Sequence, residues 1–138
     1  MRSEELQNLW FEWLDQSVVV LQTLHEETAA LMLKDTERVK RVQPVLEQLL
    51  NSLTNIDEKA LAAAKRLADS LAIHPDIETL TIALGKEEAQ ELLGLSNRVK
   101  AEARTIEGVI KKNRRLFRQE LLPSLRADSV GRAAVLMG

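Results

Sequence analysis

Four groups of residues in this 138-residue chain are of types that could do chemistry. The first, His25-Glu26-Glu27, offers an imidazole beside two carboxylates, which could hold a metal ion or act as a general base. Glu26 and Glu27 are adjacent, so they point in different directions on a helix. No His-x-x-x-His or Glu-x-x-His spacing accompanies them. The spacing therefore favours an ordinary surface histidine.

The second and third groups also have plain structural interpretations. His74 precedes Pro75 and is typical of a loop or cap, and the carboxylates Glu87, Glu88 and Glu91 are typical of the acidic first turn of a helix. The sequence contains no Gly-rich phosphate loop, no Gly-x-Ser-x-Gly motif and no cysteine, which excludes thiol nucleophiles and Cys-based metal sites. We expect no enzyme, no cofactor and no metal.

The fourth group is the basic run at residues 111–118, Lys-Lys-Asn-Arg-Arg-Leu-Phe-Arg. Its five positive charges could neutralise phosphates, contact an acidic protein, or lie in solvent near the C-terminus of a helix, where cations are favourable. The rest of the chain is acidic and carries no helix-turn-helix or zinc pattern. We therefore predict no nucleic-acid partner, and nucleic-acid binding through this run is the weakest alternative.

Composition and charge limit the fold that must position these residues. The chain is 45% hydrophobic, 29% charged and only 3% aromatic, with five Gly and three Pro, which indicates a helical protein with an aliphatic core rather than an all-β fold. Residues 1–97 carry a net charge of −8 and residues 98–138 a net +6. No apolar run is long enough for a membrane span and the N-terminus is polar and acidic, so we expect a cytoplasmic protein.

Apolar residues at helical spacing predict one very long helix over residues 3–54, capped by Ser3, with a kink at Pro44 or a break just before it. A turn at residues 34–37 is the alternative. Asn55 and Glu58 resemble a capping box for a second segment that ends near residue 71. A short helix over residues 77–84 with Gly85 as its C-cap follows, and then a long helix over residues 86–122, ended by Pro123.

These elements predict an all-α fold, an elongated antiparallel hairpin or bundle of two long helices with two short helices between them. The first and last long helices would run antiparallel, which sets the acidic part against the basic part. We expect residues 1–126 to form a single helical domain and residues 127–138 to be a flexible C-terminal tail.

Residues 21–39 resemble the opening of the FlgN family of flagellar type III export chaperones. The resemblance rests on Leu21, Leu24, Glu27, Ala30, Leu31, Asp35, Glu37 and Val39. Near the other end it continues through Asn97, Asn113, Leu116, Leu122 and Leu125, before a Gly-bearing tail, so that it spans most of residues 6–131. The chain length, the lack of Cys and the long-short-long order of helices also match.

This resemblance implies a cytoplasmic chaperone that binds the C-terminal helical segments of hook–filament junction proteins and delivers them to the export apparatus. The family's last helix and tail are the implied partner-binding region, which corresponds here to Ile110, Phe117, Leu121, Leu125, Val135 and Leu136. Neither nucleotide nor metal is implied.

The sequence also supports a second hypothesis, a structural or regulatory helical protein that self-associates as a homodimer. Apolar residues beside the main stripe of the first helix widen it beyond what one partner helix covers: Leu9, Phe11, Leu14, Val18 and Leu21. In this hypothesis Trp10 and Trp13 lie in the dimer seam. If the protein is instead a chaperone, these extra apolar residues form a docking face for another protein.

Overall fold

The computed structural model describes residues 2–123, and within them every regular element is helical. Helix α1 spans Glu4–Met32, α2 spans Thr36–Leu71, α3 spans Ile77–Ala83 and α4 spans Lys86–Leu116, followed by one π-helical turn over Phe117–Leu121. The predicted all-α class is confirmed. The predicted tail at residues 127–138 lies outside the described residues.

The prediction of one helix over residues 3–54 is wrong, because the chain reverses between α1 and α2. Lys34 takes a left-handed conformation (φ 55°). The N–H groups of Lys34 and Asp35 donate to the carbonyls of Leu31 and Ala30, a Schellman closure of α1. Asp35 then caps α2 by accepting from the Arg38 N–H at 3.2 Å. The apolar spacing continues unshifted because Leu31 and Val39 bury against each other in one cluster across this turn.

Helix α2 continues where the sequence pattern indicated interruptions. Pro44 lies inside it without breaking it, and Asn55 is an interior residue rather than a cap. Pro44 is exposed, so the carbonyl that loses its hydrogen-bond donor lies on the solvent side of the helix. The helix ends at Ala72, whose left-handed conformation (φ 56°) closes a second Schellman motif.

The antiparallel partner of α1 is α2, not the last helix. Arg66 of α2 pairs with Glu5 near the start of α1, and Arg38 pairs with Glu26 near its end, at 3.8 Å. Helix α4 runs parallel to α1, because Ser3 meets Glu88 at one end and Thr28 meets Asn113 at the other. The extra reversal at Lys34 causes this difference: it creates a third long helix, and α4 then returns in the direction of α1.

Helix α1 packs against both α2 and α4, whereas the backbones of α2 and α4 stay apart over almost their whole length. The central core is built by residues from all three: Trp13, Leu14, Val20, Leu24, Leu46, Leu53, Ile56, Leu95 and Ile106. Helix α3 covers one end of the bundle by packing against α4. Gly85 is the N-cap of α4 with extended backbone, rather than the predicted C-cap of α3.

Two opposite ends of this bundle differ in charge. The turn end comprises residues 26–41 and 111–121 and carries nine Lys/Arg against five Asp/Glu, a net of +4. The α3 end comprises residues 2–15 and 57–91 and carries five Lys/Arg against twelve Asp/Glu, a net of −7. The two ends thus carry net charges of opposite sign, because the parallel packing of α4 against α1 sets the basic run beside the turn and away from the acidic starts of both helices.

Candidate functional site

A buried polar network joins α1 to α4 at the turn end. Asn113 is 3% exposed, and its amide nitrogen donates to the Leu24 carbonyl at 3.0 Å and to the Glu27 carboxylate at 2.9 Å. The Thr28 hydroxyl lies 2.6 Å from the Asn113 amide oxygen and donates to it. Both amide hydrogens and the amide oxygen of Asn113 therefore have partners, as a buried amide requires.

This network fixes how α4 sits along α1. A register shift would leave the Asn113 amide and the Glu27 carboxylate buried without partners, at a cost of about 1–3 kcal/mol for each unsatisfied group. Residues near Asn113 on α4 are therefore held in fixed positions relative to α1. Such rigidity lowers the entropic cost of ordering a binding surface.

A groove with a volume of about 300 Å³ opens directly beside the network, at the turn end. We call it the turn-end groove; it is lined by Glu27, Leu31, Gln43, Asn113, Arg114, Phe117 and Arg118. Leu31 and Phe117 supply apolar surface, Gln43 lies across from them on α2, and two arginines supply positive charge. The groove exists because α2 and α4 stay apart while α1 forms its floor.

The helix changes geometry where it lines this groove. Phe117–Leu121 form a π-helical turn, and the Leu122 N–H donates to the Phe117 carbonyl. Such π-helical turns are rare in proteins overall, and those that occur are often found at functional sites. Here the turn accompanies the burial of Leu121 against Ala30, Leu31 and Val39, with Phe117 packed at the edge of the same cluster.

The basic run contributes Arg114 and Arg118 to the wall of the groove. Within residues 2–123 none of its five lysines and arginines lies within ion-pair distance of a carboxylate. The two pairs that do bridge elements at this end are Lys34–Glu120 at 4.0 Å and Arg38–Glu26 at 3.8 Å. Within the part of the chain that the structure describes, the positive charge of the run is therefore not neutralised by ion pairs.

The structure brings some of the implied partner-binding residues together but not all. Phe117 is half-buried and lines the groove. Ile110 is half-buried against the central core, and Leu121 is 2% exposed and belongs to the core itself. Leu125, Val135 and Leu136 lie outside the described residues.

The sequence did not indicate the walls of the turn-end groove that α1 and α2 contribute. Leu31 and Gln43 face Phe117 because of the reversal at Lys34, which the apolar spacing did not reveal. One usable signal was Asn113, a polar residue in phase with an apolar stripe. A buried amide at such a position needs partners from another helix.

The apolar surplus of the first helix is partly used inside the fold. Leu14 is buried and Leu9 and Leu21 are half-buried, while Phe11 and Val18 remain 47% and 54% exposed. Trp13 is 3% exposed in the central core and Trp10 packs on two core clusters. The placement of Trp13 in a dimer seam is therefore wrong, because Trp13 is buried within one chain, whereas the placement of the half-buried Trp10 there stays a prediction.

The residues considered for catalysis do not form a site. His25 and His74 are both exposed, and within residues 2–123 no group of three His, Asp or Glu could hold a metal ion. Glu88 binds within the fold: it accepts from the Ser3 N–H at 2.7 Å and the Ser3 hydroxyl at 2.6 Å. Burial opposes ionisation of Glu88, but these two bonds and the charge of Arg2 hold its pKa below the ordinary value.

Comparisons with protein-family models, with curated proteins and with solved structures find no match to this chain. Among the described helices, none is both long enough and apolar enough to cross a bilayer.

Proposed function

We propose that this protein is a cytoplasmic export chaperone of the FlgN type. It binds the C-terminal helical segments of hook–filament junction proteins and hands them to the flagellar type III export apparatus. The action is binding and release, with no reaction, cofactor or metal. The sequence resemblance of residues 21–39 to that family motivates this proposal.

The observation that carries it is the turn-end groove. Phe117, a residue of the implied binding set, lines this groove together with Leu31 and two arginines, which form no ion pair with any carboxylate of residues 2–123. A partner helix would place an apolar side chain against Phe117 and Leu31 and a carboxylate beside Arg114 or Arg118. Amphipathic helices bind grooves in this way, through a few apolar anchors at helical spacing.

The test is co-expression with a terminal helical segment of a hook–filament junction protein, followed by size-exclusion chromatography with light scattering. The proposal predicts a one-to-one complex. Phe117→Ser should weaken it about tenfold or more, because a buried aromatic anchor contributes more than 1.4 kcal/mol to binding. The matched control is Phe11→Ser, which changes the only other phenylalanine of the chain. Equal binding by both variants would contradict the groove's role.

The tail is tested separately. A chain ending at Pro123 should bind the segment less tightly than the full chain, since Leu125, Val135 and Leu136 belong to the implied binding set. Unchanged affinity would remove these three residues from the site while leaving the turn-end groove in place.

Self-association is the alternative function that a specific observation favours. Phe11 and Val18 lie seven residues apart on α1, so they share one exposed face. The same chromatography discriminates: a homodimer that ignores the junction-protein segments, and that Phe11→Ser dissociates, would support this alternative and contradict the chaperone proposal.

A further inference from the structure

A second cavity lies at the α3 end, far from the turn-end groove. This notch has a volume of about 260 Å³ and sits between α1, α2 and the segment that leads into α3. Its walls are almost entirely apolar: Leu6, Trp10, Ala60, Leu61, Ala64, Pro75, Ile77 and Leu80. The single ionisable residue among its lining residues is Asp57.

Asp57 is an acid without a counter-charge. No Lys or Arg of residues 2–123 lies within ion-pair distance of it. Burial raises its pKa above the ordinary value, and the indole N–H of Trp13 acts in the opposite direction. Trp13 is buried in the core beside it, whereas Asp57 as a whole residue is exposed. The carboxyl therefore borders the apolar notch and remains accessible to a partner.

The surroundings add to the negative potential at Asp57. The α3 end has a net charge of −7, against +4 at the turn end. Glu58 follows Asp57 directly and is exposed, and Leu61, one turn further along α2, is 56% exposed. A cation approaching the notch therefore meets an attractive field and an uncovered apolar wall.

We propose that this notch binds a Lys or Arg side chain presented by an amphipathic, basic helical segment of a partner protein. The aliphatic stem would lie along Trp10, Leu61 and Ala64, and the cationic head would pair with Asp57. Long basic side chains suit such a site because their stems bury against apolar surface while the head reaches a charged group. The bundle would then bind partners of opposite charge at its two ends.

The probe for the test is a synthetic amphipathic peptide of Leu, Ala and Lys, acetylated and amidated at its ends. A matched peptide carries Gln at every Lys position. Binding is measured by calorimetry and by the fluorescence of Trp10 and Trp13, the only two tryptophans of the chain. The proposal predicts binding of the Lys peptide with a change in tryptophan emission, and much weaker binding of the Gln peptide. No binding of the Lys peptide would overturn it.

Two variants separate the notch from general attraction to an acidic surface. Asp57→Asn should weaken binding about tenfold, since a charge-assisted hydrogen bond contributes 1.5–3 kcal/mol. Glu58→Gln removes the same charge from an exposed neighbour that does not line the notch, and it should change binding less than about twofold. Equal losses in the two variants would overturn the proposal.

Two other occupants are also outcomes of the test. If a second copy of the chain fills the notch, light scattering shows a dimer that the Lys peptide dissociates. If the chain's own tail fills it, a chain ending at Pro123 binds the Lys peptide more tightly than the full chain. Either result would overturn the assignment of the notch to a partner protein.

Discussion

The two ends of the bundle hold their helices together by different means. At the turn end, α1 and α4 are joined by a buried amide, a hydroxyl and a carboxylate: Asn113, Thr28 and Glu27. At the α3 end, the contact surface is apolar and contains three small residues, Ala60, Ala63 and Ala68, packed around larger ones such as Leu6 and Leu92. The polar contact there, Ser3 with Glu88, lies at the edge of the core and is part-buried.

The difference shows how one bundle can be both fixed in register and closely packed. Hydrogen bonds are directional, so the turn end specifies which residue of α4 faces which residue of α1. Apolar contact is not directional and stabilises in proportion to area, so the α3 end contributes free energy through close packing. The turn end is consequently the place where a rigid, partly polar groove can be maintained.

The largest expected effect comes from breaking the packing at the α3 end. Leu92→Ala should destabilise the protein by about 2–5 kcal/mol, because Leu92 is fully buried and its removal leaves a cavity. Urea denaturation measures the change. Leu93→Ala on the adjacent, 44% exposed residue is the control and should cost much less. Similar losses in the two variants would contradict the importance of packing at this end.

A smaller effect is expected at the turn end. Asn113→Ala should cost about 1–3 kcal/mol, since it removes the donor to the buried Glu27 carboxylate, whereas the Leu24 carbonyl keeps the Thr28 hydroxyl as a partner. Asn97→Ala, at an exposed position on the same helix, should be near neutral. Asn113→Ala should also bind the junction-protein segment less tightly, because the groove beside the network loses its support. Undiminished stability would show that the network does not hold the register.

The smallest effect is expected at the Ser3–Glu88 contact. Ser3→Ala should cost about 1 kcal/mol at neutral pH, as it removes a hydrogen bond to a partly solvated carboxylate. Glu88 has a lowered pKa in the folded protein, so its ionised form stabilises the fold at pH values above its ordinary pKa of 4.5. That stabilisation is lost as the pH falls through the folded-state pKa.

Urea denaturation over a series of pH values checks this expectation. The difference between the wild type and Ser3→Ala should shrink as Glu88 becomes protonated. Ser52→Ala, at an exposed position on α2, is the control. A difference that stays constant with pH would show that Ser3 acts on the fold without Glu88.

The sequence predicted the helical class and the start of α4 at residue 86. Those features depend on local periodicity, which the sequence carries directly. The reversal at Lys34 corresponds to the alternative, a turn at residues 34–37, because periodicity alone does not decide between a turn and a continuous helix. A left-handed lysine and a capping aspartate interrupt the backbone without interrupting the apolar spacing, and so two helices resembled one.

The candidate site shows the same limit. Phe117 follows from the family resemblance, but the opposite wall of the groove depends on the turn that brings Leu31 and Gln43 to α4. The π-helical turn that buries Leu121 has no signature in the sequence, since it arises from packing against Ala30 and Val39. The apolar stripe of a single helix can be predicted from the sequence, whereas the contacts between helices were seen only in the structure.

Hydrogen exchange of the full chain, with and without the junction-protein segment, tests the central claim most directly. Amides protected by the partner report which end it covers, because opening of the helix beneath a docked segment is suppressed. We predict new protection in residues 27–43 and 110–121, around the turn-end groove, with the α3 end unchanged. Protection confined to residues 2–15 and 57–91, or to the face of α1 that carries Phe11 and Val18, would contradict it.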